Sequence, residues 1–152
     1  MKLNTKSLNE IERGFPILAE QVLFTQLSSE IKPSKNTGND ILVITCRILD
    51  EEVMKKDGTP MKNEGAKLKF TYNVSLAATE KYNPDTMLAQ IADAITKEGD
   101  EPLDELDSDM LQGAYCKVKL GIRPANEKYN ESNYVKALLP IKESDNFTPP
   151  VL

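Results

Sequence analysis

Basic and aromatic side chains spaced two residues apart are the groups in this chain best suited to chemistry. Tyr115, Lys117, Lys119 and Arg123 alternate with Cys116, Val118, Leu120 and Ile122, and Gly121 interrupts the row. Lys67 and Lys69 alternate with Leu68 and Phe70, Arg47 falls between Cys46 and Ile48, and Tyr134 and Lys136 share one parity. Lys32 and Lys35 flank the start of a turn. Residues two apart on a strand point to the same side, so these rows put cations and aromatic rings on one surface. Cations of this kind follow phosphates, and ring faces stack nucleobases; neutralising phosphates releases counterions and makes binding salt-sensitive. The same alternation also suits the plain solvated side of an antiparallel sheet, where lysine guards edge strands.

Other chemistries find little support. Histidine is absent, which removes the commonest general base, imidazole zinc ligands and histidine-dependent triads. Neither a GxGxxG nor a GxxxxGK[ST] motif occurs, so no phosphate-cradling loop is expected. The carboxylates of residues 98–109 lie in a polar run with Pro102 and Ser108, a poor scaffold for a metal. Cys46 and Cys116 form no CxxC pair and sit on apolar strand parities, as small core hydrophobes do. The expectation is a binding protein without catalysis, metal or cofactor.

Charge is segregated along the chain. The net charge is −5, but the stretch from Glu98 to Asp109 carries seven acids and no base, whereas that from Gln112 to Lys142 carries six bases against Glu127 and Glu131. A polyanion senses local charge within about 8 Å at physiological salt, so an acidic protein can present a basic face. The opening MKLNTKSLNE lacks an apolar signal core, and no apolar stretch approaches the roughly 18 residues of a membrane span. A soluble protein of a reducing cytoplasm is therefore expected.

The elements that position these residues read mostly as strands. Ser7 and Glu10 have capping-box spacing, and a short helix is expected over 1–14. Gln21–Ile31 is strand-like with blurred parity, and the segment from Lys32 to Asn39 is a turn. Asp40–Leu49 carries Leu42, Ile44, Cys46 and Ile48 inward. A long polar loop over 50–65 leads to a third strand, Ala66–Val74, with Leu68, Phe70, Tyr72 and Val74 inward. Asn83-Pro84 starts a helix with the stripe Met87, Leu88, Ile91, Ala92 and Ile95, ending at Gly99. Strands follow over 114–122 and 133–141, and 143–152 reads as a flexible tail. The fold class is mainly β with one or two helices. Five strands with a helix between the third and fourth give the element order of an OB-fold-like barrel, spanning 15–142; an α+β sandwich shares that order.

On these features the chain resembles a family of small phage-encoded proteins, long catalogued as a domain of unknown function and associated with single-stranded DNA binding. The resemblance covers roughly residues 15 to 141. It rests on the long first strand, the Ser34-Lys35-Asn36-Thr37-Gly38-Asn39 turn into the strand from Ile41 to Leu49, Asp57-Gly58, and the helix ending near Gly99. Leu111-Gln112-Gly113-Ala114-Tyr115-Cys116-Lys117-Val118 and Asn133-Tyr134-Val135-Lys136 complete it. The resemblance implies an OB-fold accessory protein of DNA replication or recombination in an infected bacterial cytoplasm. Single-stranded DNA is the implied partner, with replication or recombination proteins reached through the tail and a homo-oligomer as further expectations. The competing expectation is a protein-interaction or virion-structural module on the same β scaffold.

Overall fold

Alternating apolar residues dictate the main antiparallel sheet. The computed structural model describes residues 16–150, and the helix expected over 1–14 lies outside the described residues. The strands are β1 (Val22–Pro33), β2 (Asp40–Ile48), β3 (Glu52–Met54), β4 (Pro60–Lys62), β5 (Lys69–Ser75), β6 (Tyr115–Arg123) and β7 (Ser132–Leu139). Among the described residues one α-helix, α1 (Pro84–Ile95), lies between β5 and β6.

Five strands form the main sheet in the order β5-β2-β1-β6-β7. The central strand β1 serves both halves. Its run from Thr25 to Pro33 pairs with β2, while Val22 to Gln26 pair with β6. Leu23, Leu27, Leu42, Ile44, Cys46, Ile48, Val74, Cys116, Val118, Leu120, Val135 and Leu138 fill one side of the sheet and are buried. Burying these side chains supplies the main driving force for folding, roughly 1.5–3 kcal/mol for each large one.

The edge strands β5 and β7 approach to within 8 Å between Cα positions, but no ladder joins them. The architecture is thus a five-stranded antiparallel sheet that is not closed into a barrel, where the element order led us to expect closure. Helix α1 packs against β5, β6 and β7, spanning both edges. Its start follows the sequence: Asn83 caps by accepting from the Asp85 N–H at 2.9 Å, and Pro84 occupies the first turn. It ends earlier than Gly99, because the Thr96 hydroxyl turns back to the Ala92 carbonyl at 2.7 Å; Gly99 lies in the following turn with φ +89°.

The expected loop over 50–65 contains structure. β3 and β4 form a hairpin around Asp57-Gly58, with Val53 buried. Asn63 holds this insertion to the sheet. Its amide donates to the Ile48 and Asp50 carbonyls at 2.9 and 3.0 Å, and its Oδ1 accepts from the Leu68 N–H at 3.1 Å. The third long strand consequently begins at Lys69, leaving Lys67 outside it, beside the short 3-10 turn Glu64–Ala66.

The acidic stretch is anchored at its far end. Leu111 is fully buried and Leu106 packs on the core, while the Ser29 hydroxyl donates to the Ser108 carbonyl at 3.3 Å. No described helix is long and apolar enough to cross a membrane.

Candidate nucleic-acid interface

Pairing register decides which outward residues meet. Thr25 and Leu27 are buried, so Phe24 and Gln26 project from the opposite side of β1. Gln26 pairs with Arg47 on β2 and Tyr115 on β6, and Arg47 pairs in turn with Lys69 on β5. Lys69, Arg47, Gln26 and Tyr115 therefore form one transverse row across four strands, with neighbours about 5 Å apart. One step along the strands, Phe24 pairs with Lys117, and Lys117 pairs with Leu139 on β7.

Hydrogen bonds hold the row in place. An Arg47 guanidinium nitrogen donates to Gln26 Oε1 at 2.7 Å. Gln26 Nε2 lies 3.4 Å from both the Tyr115 hydroxyl and the Gly113 carbonyl. Beneath the row, the buried Thr25 hydroxyl donates to the Arg47 carbonyl at 2.9 Å. The guanidinium is thereby oriented by the middle strand while retaining further donors for a ligand.

The segment read from the sequence as a tail is seated on this face. Phe147 stacks on Phe24 with ring centroids 4.8 Å apart and planes at 21°, and meets Tyr115 at 5.5 Å and 55°. Asp145 forms an ion pair with Lys117 at 2.9 Å, both side chains being partly exposed. The Lys142 N–H donates to the same carboxylate at 2.8 Å. That backbone donor, followed by Lys117, holds the Asp145 carboxyl below its usual range.

Along β6 the outward row continues through Lys119, Gly121 and Arg123. Gly121 is buried under the Tyr134 ring, and a Cβ at that position would lie 2.7 Å from ring carbons. The glycine that interrupts the basic row therefore lets an aromatic ring lie across the strand. Arg123 sits over the same ring, 5.3 Å from its centroid, a cation–π arrangement. The register shifts between Lys119 and Leu120, which pair with Ala137 and Val135. Lys136 is the extra residue of this bulge and has no cross-strand partner, so it does not share the regular parity with Tyr134 expected from their spacing.

The remaining residues lie apart. Lys32 occupies the far end of β1, about 20 Å along the strand from Gln26, and pairs with Glu30 at 3.4 Å. Lys35 is exposed in the β1–β2 turn, and Lys67 is exposed ahead of β5. Among the described residues, Arg47, Lys69, Lys119 and Arg123 have no carboxylate within ion-pair distance.

Sequence reasoning missed Phe24, Gln26, Asp145 and Phe147. Three consecutive apolar residues, Val22, Leu23 and Phe24, obscure the parity of β1, and docking of a terminal segment leaves no local pattern. Cys46 and Cys116 are buried in the core, and burial pushes the Cys46 thiol up to about 12. Among the described residues there is no cluster of three or more potential metal ligands. No protein-family model matches the chain, and no curated protein is significantly similar to it.

Proposed function

We propose that this protein binds single-stranded DNA without sequence preference, using the outward face of β5, β2, β1 and β6. In this reading the five strands form an OB-type barrel whose hydrogen-bonded ladder is interrupted between β5 and β7, where α1 bridges the gap. The protein acts in phage DNA replication or recombination, in the host cytoplasm. The observation that carries the reading is the row Lys69–Arg47–Gln26–Tyr115 beside the pair Phe24–Lys117. It combines cations for phosphates with aromatic faces for bases, the two components that sequence-tolerant single-strand binding requires.

The binding measurement is fluorescence anisotropy with labelled oligo-dT of about 30 nucleotides, long enough for one or more typical sites, and with duplex of equal length. The expected result is tighter binding to the single strand, weakened as salt rises. Flat titrations at micromolar protein would refute the reading.

A protein-interaction or virion-structural role has one observation in its favour. At the far end of β1, exposed Ile31 and Met110 border a groove of about 520 Å³ also lined by Leu42, Leu76 and Leu88. Such a surface suits an apolar partner segment. This reading calls for a stable oligomer or complex by analytical ultracentrifugation together with no salt-sensitive DNA binding.

A further inference from the structure

We propose that Phe24, Tyr115 and Lys117 form a one-nucleotide subsite that the protein's own C-terminal segment fills, with Phe147 in the place of a base and Asp145 in the place of a phosphate. Single-stranded DNA then binds by displacing that segment. The inference rests on the single-strand-binding reading and adds to it a defined subsite and an internal competitor.

The geometry supplies both halves of a nucleotide. An offset stack with centroids 4.8 Å apart and planes at 21° is the arrangement a base adopts on an aromatic platform. Tyr115 adds a tilted wall at 5.5 Å. Asp145, two residues before Phe147, places a carboxylate oxygen 2.9 Å from Lys117 Nζ, where a phosphate oxygen would make the same charge-assisted contact. Phe24 and Lys117 are cross-strand partners, so ring platform and cation are adjacent, as base and phosphate are within one nucleotide.

The chain is also shaped to deliver these groups. β7 ends at Leu139, which pairs with Lys117 itself, so the segment leaves the sheet beside the subsite. Glu143–Asp145 form a 3-10 turn, and Asn146 adopts the left-handed conformation at φ 51°. Asparagine tolerates that region, and the reversal aims Phe147 back at the sheet. The Glu143 N–H donates to Glu98 Oε2 at 2.6 Å, fixing the turn from a second side. A competitor tethered by so few residues has a high effective concentration, yet within the subsite it makes only the Phe147 contacts with Phe24 and Tyr115 and the ion pair with Lys117. A longer nucleic acid engaging Arg47 and Lys69 as well outcompetes it.

The test uses the full chain carrying fluorinated phenylalanine, with the Phe147 resonance assigned by its loss in Phe147→Ala. On titration with the same oligo-dT, the Phe147 signal should move to a solvent-exposed position as the oligonucleotide saturates. Phe147→Ala should bind about tenfold more tightly, as expected when a site occupied roughly nine-tenths of the time is freed. Asp145→Asn, nearly isosteric, should give a smaller gain and serves if Phe147→Ala fails to fold. In the tail-weakened background, Phe24→Leu should reduce affinity while leaving the melting temperature close to its parent's. An unmoved Phe147 signal at saturation, or unchanged affinity in both tail variants, overturns the inference while leaving single-strand binding intact. If neither wild type nor the tail variants bind oligo-dT, the functional reading fails and the subsite falls with it.

Discussion

Tyr115 is the residue on which sequence and structure converge. It is outward on β6, in reach of the Gln26 amide and next to the Phe24–Phe147 stack. Base–aromatic stacking contributes about 1–3 kcal/mol per base, so Tyr115→Ala should weaken oligo-dT binding about tenfold; unchanged affinity in the anisotropy titration would remove stacking at this position. Asp145 yields a pH prediction. Its carboxyl is held below the normal range when docked, chiefly by the Lys142 N–H and then by Lys117. The contribution of this carboxylate to docking is therefore fully present above the free carboxylate value of about 3.9 and is lost as pH falls through the lower docked value. The fluorine signal of Phe147 should be constant near neutrality and shift toward the free position only in acid. A change centred near neutral pH would mean that another group governs docking.

At the scale of elements, spacing was informative wherever one side of a strand is buried and the other is wet. Leu42, Ile44, Cys46 and Ile48 marked β2, and Cys116, Val118 and Leu120 marked β6; all are buried as their alternation demands. The helix start at Asn83-Pro84 was equally plain, because a side-chain cap and a first-turn proline are local chemistry. The β3–β4 hairpin was not legible, since three-residue strands containing Pro60 and Lys62 are too short to alternate. Nor was the bulge at Lys136, which depends on how β7 meets β6 and not on its own residues. Asn63 looked like one polar loop residue among many, yet it joins the hairpin to the ends of β2 and β5. Removing its side chain leaves buried backbone groups unpaired, each costing roughly 1–3 kcal/mol. Asn63→Ala should therefore lower unfolding free energy by about 2–3 kcal/mol in urea denaturation. A loss below about 0.5 kcal/mol, the range of an ordinary surface change, would show that water replaces those bonds without penalty.

Over the whole molecule, the basic row and the far end of the acidic stretch lie in different places in the fold. Arg47, Lys69, Tyr115, Lys117 and Lys119 share the outward face of the sheet. The acidic segment ends beside the far part of β1, where Leu106 and Leu111 hold it. A net-acidic protein can thus offer a polyanion a locally basic strip. The candidate site was half legible: its cations and Tyr115 follow from two-residue alternation, whereas Phe24 depends on the parity of a central strand that opens with three consecutive apolar residues and Phe147 on a long-range contact. The proposed function requires that this face, and not the groove near Ile31 and Met110, receive single-stranded DNA. The most direct measurement is a backbone amide NMR titration of the isotopically labelled protein with a short oligo-dT. Shifts are expected to concentrate at Phe24–Gln26, Arg47, Lys69, Tyr115–Lys119 and Asp145–Phe147. Shifts confined to the Ile31–Met110 groove, or none at saturating oligonucleotide, would contradict it.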